Sequence, residues 1–199
     1  MPAMTARTAT ISRTTRETEI TLQLNLDGTG TAEIATGIGF LDHLLTALAL
    51  HARIDLRLTC RGDLVVDDHH TAEDCALAIG AAIDQALGDR TGITRFASAY
   101  APLDEALSRA VIDCSGRPFA RVALGLRREQ LGALSCENIS HVIASLATAA
   151  RLTIHVDVLQ GDNDHHRAES AFKALALALR VAVARDGSTS VPSTKGVLA

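Results

Sequence analysis

Two copies of one short pattern, His69-His70-x-x-Glu73 and His165-His166-x-x-Glu169, hold four of the eight histidines in this chain of 199 residues. Imidazole nitrogens and a carboxylate are donors that divalent transition metals accept. On a helix, residues four apart point within about 40° of each other, whereas adjacent residues diverge by about 100°. His69 and Glu73 therefore share a face, as His70 and Glu73 do more loosely, and the neighbouring imidazoles part. Each motif is expected to serve two ions, one imidazole going to each.

Direct alignment of the two halves brings in two more donors. HLLTALALHARIDLRL from His43 lies over HVIASLATAARLTIHV from His141 at an offset of 98, and the His-His-x-x-Glu motifs follow at an offset of 96. The metal candidates are then His43, His69, His70, Glu73, His141, His165, His166 and Glu169, four per ion. Three imidazoles and one carboxylate leave two positions open on an octahedral ion, which suits Mn²⁺ or Fe²⁺ and points to catalysis, since structural zinc closes its shell at four ligands. Asp67, Asp68, Asp162 and Asp164 either fix the imidazole tautomers or sit as solvated charges at positive helix N-termini. His155 lies in an alternating strand and reads as structural. His51 ends the first helix, where its charge suits the dipole, and can also face the site.

The elements that must position these side chains repeat in order. Ile20, Leu22, Leu24 and Leu26 alternate with polar residues and run into Asp27-Gly28, a hairpin signal that predicts Thr31 to Ala35 pairing back. Asp42 is expected to cap a helix ending near Ala52, Ile54 to Leu58 to form a strand, and Thr71 to Leu87 a helix stopped by Gly88. In the second half, strands near Leu107 to Asp113 and Phe119 to Leu124 flank a Ser115-Gly116-Arg117-Pro118 turn. Ser140 is expected to cap a helix to about Ala150, followed by a strand over Leu152 to Leu159 and a helix from about His165 to Arg185. The fold expected is α+β, one domain over residues 1–199 made of a duplicated β-β-α-β-α unit, with halves of about 10–95 and 96–190 and helices packed between two sheets.

Composition narrows the functional classes. A hydrophobic content of 47% can fill a core, and with 3% aromatics that core must be Ala, Leu, Ile and Val. A net charge of -4 with scattered Lys and Arg excludes a nucleic-acid footprint. The opening stretch lacks the apolar core of a secretory signal, and no run reaches the roughly 18 to 20 apolar residues of a membrane span, so a cytoplasmic protein is expected. Cys60, Cys75, Cys114 and Cys136 are widely spaced and read as buried, reduced thiols.

GIGFLDHLLTALALH, DLVVDDHHTAED, DCSGRPF, GDNDHHRAESAFKALALAL and the terminal PSTKG together resemble the imidazoleglycerol-phosphate dehydratase family, over nearly all of the chain. Leu44 where Met is usual, and the added charge of Asp162, Asp164 and Arg167, are the departures. The resemblance implies a fold like the second domain of ribosomal protein S5. It implies dehydration of D-erythro-imidazole-glycerol phosphate to imidazole-acetol phosphate in histidine biosynthesis, by way of an imidazolate held between two Mn²⁺ ions or other divalent metals. It further implies a homo-oligomer of 24 subunits built from trimers, with ligands drawn from neighbouring chains. By the same resemblance Arg95, Arg117, Ser193 and Lys195 bind the substrate phosphate, Glu17 transfers a proton, and Lys173, with Glu73 and Glu169, serves catalysis. His43, His51 and His69 are expected among the substrate contacts. Lys173 can equally form a helix salt bridge with Glu169. The ligands alone would permit a binuclear metallohydrolase, which would release phosphate, or a noncatalytic metal-holding cage, which would not need Arg95, Arg117 and Lys195.

Overall fold

The protein, described over residues 6–198 by a computed structural model, is a four-layer stack of sheet, helices, helices and sheet. The first half is β1 (Thr8–Thr14), β2 (Thr18–Asn25), β3 (Ala32–Ala35), α1 (Gly39–Ala52), β4 (Asp55–Gly62) and α2 (His69–Leu87). The second is β5 (Phe96–Leu103), β6 (Ala106–Asp113), β7 (Phe119–Ala123), a small hairpin of β8 (Gln130–Leu131) and β9 (Leu134–Ser135), α3 (Cys136–Ala149), β10 (Thr153–Gln160) and α4 (Asp164–Ala182). Strand orders β1-β2-β4-β3 and β5-β6-β10-β7 superpose element for element. Each half thus contains the β-β-α-β-α unit, preceded by one further edge strand.

Alternation builds the sheets: Ile20, Leu22 and Leu24 of β2 and Leu56, Leu58 and Cys60 of β4 are buried beneath the helices, while the residues between them face outward. Burial of a Leu or Ile side chain is worth about 1.5–3 kcal/mol, so a register slip of one residue would be prohibitive. α2 packs on α3 and α1 on α4, so each half's helices meet helices of the other half in the middle of the stack.

Thr31 to Ala35 do not pair back on β2. Both edges of β2 are occupied, by β1 and β4, and β3 instead runs parallel to β4 with Ala32 opposite Leu56. The turn is captured by Asp55, whose carboxylate accepts N–H bonds from Thr29, Gly30 and Thr31 at 2.8–3.1 Å. A Cβ on Gly28 would stand 2.4 Å from the Asp55 nitrogen, so the turn needs glycine there. Asp42 and Ser140 are not caps: α1 starts at Gly39 after Ile38 and α3 at Cys136 after Ser135. Asp42 reaches back from inside the helix to accept bonds from the Thr36 N–H and hydroxyl. The last helix ends at Ala182 rather than Arg185.

Candidate metal centre and active site

The four helices all present their N-terminal turns to the same end of the stack, and there the histidines meet. His43 of α1 and His165 of α4 both direct Nε2 at one oxygen, Glu169 Oε2, at 3.0 and 3.1 Å. At the other pair of helices, His141 of α3 lies 3.0 Å from Glu73 Oε1 and His69 Nε2 lies 3.8 Å from Glu73 Oε2. In each triad the donor atoms lie within 4.8 Å of one another. Two imidazoles and a carboxylate converging in this way fit a divalent transition metal and leave part of its shell open.

His70 and His166 join neither triad. Each diverges from its neighbour, with ring centroids 6.1 Å apart and planes at 71° and 87°, as helix geometry requires. His70 Nδ1 lies 3.1 Å from Asp63 Oδ2 at the end of β4, and His166 Nδ1 lies 2.7 Å from Glu105 Oε2 in the β5–β6 turn. These carboxylates raise the pKa of both imidazoles.

The acids expected either to hold tautomers or to sit as solvated charges at the helix N-termini bind backbone and side-chain groups instead. Asp67 accepts the backbone N–H of His69, Asp68 binds Ser135 through its N–H and hydroxyl, buried Asp164 accepts the N–H groups of Arg127 and Arg128, and Asp162 donates its N–H to Glu105. α4 is capped by Asn163, whose side chain accepts from the His165 N–H. The imidazole partners are Asp63, Glu105 and Asn138, whose Oδ1 is 3.0 Å from His69 Nδ1. Sequence spacing misses all three because they come from other elements. Asp104-Glu105 lies in the β5–β6 turn, and β5 lacks the alternation that would have marked that turn in the sequence.

Lys173 Nζ pairs with Glu169 Oε1 at 2.6 Å, so the helix salt bridge forms. Burial pushes the Glu169 carboxyl up, but hydrogen bonds from Lys173 and His43 outweigh it and hold the group down at about 2. His51 lies in the field of this pair; burial, then Lys173, lowers its pKa. Glu17, in the β1–β2 turn, has Oε1 3.7 Å from His70 Nε2. His155 packs against Phe119 on the outer face of the second sheet, away from the triads.

The expected phosphate ligands gather elsewhere. Arg95 donates to Asp113 through Nε at 2.8 Å and to the Pro192 carbonyl at 2.6 Å, with its guanidinium 4.3 Å from the Phe96 ring. Arg117 reaches the same Asp113 at 3.9 Å and is exposed. Ser193 and Lys195 follow Pro192 in one turn, the Lys195 N–H donating to Ser193 Oγ. The Arg95 N–H bonds the carbonyl of Ala182, the last residue of α4. From Glu169 to Ala182 the helix rises roughly 20 Å, at 1.5 Å per residue. Arg95 and the terminal turn therefore lie at the opposite end of α4 from the His43–His165–Glu169 triad.

Paired imidazole–carboxylate triads on a duplicated α+β scaffold are donor sets of the kind that hold divalent metals in enzymes. Residues 36–179 match the family model described as imidazoleglycerol-phosphate dehydratase. The chain is 51% identical to the protein of that name from Maudiozyma humilis over 98% of its own length and 100% of the relative's. It is 61% identical to the one from Phytophthora nicotianae over 97% of its length, while spanning 43% of that longer relative. Among solved structures it is similar to the Pyrococcus furiosus enzyme in complex with (S)-C348, with a TM-score of 0.82 and 38% identity over 94% of this chain and all of that one. The Staphylococcus aureus enzyme gives 0.81 and 32% over 89% and 99%. The chain belongs to the imidazoleglycerol-phosphate dehydratase family.

Proposed function

We infer that the family's reaction, loss of water from imidazole-glycerol phosphate in histidine biosynthesis, takes place here in a site shared between copies of the chain. The observation that carries this reading is the separation just described. The histidine triads and the Arg117–Lys195 clamp lie at opposite ends of α4, and a glycerol-length spacer between imidazole ring and phosphate cannot bridge them. A complete site needs the clamp of one copy beside the triads of another. The two imidazoles outside the triads, His70 and His166, then become ligands for ions held by neighbouring copies, which brings each ion to three imidazoles and one carboxylate.

Two ions per site, Mn²⁺ in our reading, would be held by His43, His165 and Glu169 and by His69, Glu73 and His141. Bound there, divalent ions supply Lewis-acid stabilisation of charge on the substrate ring and template its orientation. The remaining work falls to the chain's own groups. Glu17, half-exposed beside His70, is placed to move a proton at the substrate carbon or at its departing hydroxyl. Lys173 keeps the Glu169 carboxylate ionised, and His51 faces that pair. Arg117 offers a bidentate fork, Lys195 a point charge and Ser193 a hydroxyl to the phosphate, while Arg95 braces Asp113 and the terminal turn. A cytoplasmic cage of 24 subunits built from trimers is the assembly we propose. Among the described residues, no helix is long and apolar enough to cross a membrane.

Complementation tests the shared site. Arg117→Ala/Lys195→Ala protein and His166→Ala protein should each be inactive, and mixing them before adding Mn²⁺ should restore ketone formation from imidazole-glycerol phosphate without phosphate release. Mixed assemblies that stay inactive would overturn the reading, and released phosphate would favour a metallohydrolase.

A further inference from the structure

We propose that Glu105 is a positioning residue that holds His166 in the Nδ1–H tautomer, with Nε2 bare and aimed outward for a metal ion of a neighbouring copy. The destination of Nε2 rests on the shared-site reading; the tautomer does not.

The geometry is a closed bracket. Glu105 Oε1 accepts the backbone N–H groups of Asp162 at 3.1 Å and Asn163 at 2.9 Å. Its other oxygen, Oε2, takes His166 Nδ1 at 2.7 Å. Asn163 in turn caps α4 by accepting the His165 N–H at 2.9 Å. One carboxylate from the β5–β6 turn thus fixes the residues entering α4 and the imidazole on its first turn. A carboxylate can only accept, so it selects the proton on Nδ1 and leaves the Nε2 lone pair free. That is the arrangement by which outer carboxylates orient metal-binding histidines. The Nε2 side carries only the exposed Asp104 carboxylate, at 3.9 Å.

The pseudo-symmetry of the two halves argues that this bond is required rather than incidental. In the first half the corresponding imidazole, His70, takes its carboxylate from Asp63, just after β4. At the offset of 96 that aligns the two His pairs, the residue matching Asp63 is Leu159, which has no carboxylate, and Asp162, just beyond β10, gives its backbone N–H to Glu105. The second half obtains its carboxylate from the β5–β6 turn instead, whose counterpart in the first half, the β1–β2 turn, carries Glu17. Two different elements deliver the same contact to the two imidazoles left outside the triads. Glu17 stands 3.7 Å from His70 Nε2, on the ligand side of the ring, whereas Glu105 binds Nδ1 on the other.

Glu105→Gln separates positioning from loop anchoring. The amide oxygen can still accept from Asp162 and Asn163, but the amide nitrogen would donate to His166 Nδ1 and drive the proton to Nε2. In metal-free protein with ¹⁵N-labelled histidine, recorded above the histidine titration range and assigned with His166→Ala, long-range ¹H–¹⁵N correlation should place the proton on Nδ1 in the wild type and on Nε2 in Glu105→Gln. The metal-free melting temperature should be unchanged in Glu105→Gln and lowered in Glu105→Ala. Mn²⁺ affinity, and with it the Mn²⁺ concentration that drives assembly on size-exclusion chromatography, should worsen 10- to 100-fold in both variants. A wild-type proton on Nε2, or Glu105→Gln that binds Mn²⁺ as the wild type does, would overturn the assignment. Wild-type protein that keeps the Nδ1–H tautomer but shows no Mn²⁺-driven assembly would instead overturn the shared-site reading and the destination of His166.

Discussion

The two triads are copies, yet what surrounds them is not. Glu169 is 14% exposed, contacted by both imidazoles and pinned by Lys173, while Glu73 is 35% exposed and has Leu77 at the position matching Lys173. His51 matches Ala149, and Phe40, which packs edge-on to His165 at 5.0 Å, matches Asn138, which instead hydrogen-bonds His69. The imidazoles and carboxylates of the triads recur in both halves, whereas the groups around them differ: Lys173 and His51 lie beside the second triad, and Glu17 lies beside His70 in the first half. A duplicated site need not divide its chemistry equally: holding charge requires both halves, whereas moving a proton requires only one well-placed group.

The largest effects test equivalence of the triads. His165→Ala and His69→Ala should each lower turnover by more than about 10³-fold, beyond the 10- to 100-fold typical of outer-shell partners, measured by ketone formation with saturating Mn²⁺. Activity surviving in either variant would make one triad dispensable. Glu17→Gln should reduce kcat by about 10²- to 10⁴-fold, the range for a proton-transfer group, with Mn²⁺ binding intact. Equal loss of metal binding would make Glu17 a ligand instead.

Lys173→Leu, which gives the second half the residue of the first, should lower kcat and Mn²⁺ affinity by about 10- to 100-fold, while Leu77→Lys should change neither by more than a few-fold. In the metal-free protein, the Glu169 carboxyl is depressed to about 2 from an ordinary 4.5. A depressed acid contributes stability above its unfolded pKa and loses it as pH falls through the folded one. Denaturant stability should therefore decline between about pH 4.5 and 2, and Glu169→Gln should flatten that part of the profile. The smallest contrast lies between the helix pairs. A Cβ on Gly80 of α2 would meet the Leu146 carbonyl oxygen at 2.6 Å and Ala149 Cβ at 2.7 Å, whereas the matching position in α4 is the buried Ala176. Gly80→Ala should destabilise by about 1–3 kcal/mol, read from the denaturation midpoint.

Much of the fold and site was legible because repetition is a sequence property. The matched motifs pointed to the six side chains that converge in the two triads, together with His70 and His166, which do not join them, and alternation gave β2, β4, β6 and β10. The edge strands β1, rich in Thr and Ser, and β5, with Ala and Pro, lack the apolar alternation that would reveal them. β3 was expected on the wrong strand because its pairing depends on which edges remain free. Asp63, Glu105 and Asn138 escaped because a hydrogen bond between distant elements leaves no trace in local spacing.

By itself the sequence determined residue types and their angular spacing: two histidine pairs with glutamates one turn on, and therefore two donors per motif that face apart. Tertiary structure alone decided which imidazoles converge, since α1 meets α4 and α2 meets α3 only when the two halves pack face to face. It also decided where Arg95 and the terminal turn lie relative to the triads, because α4 is a rigid rod that keeps its two ends roughly 28 Å apart at 1.5 Å per residue.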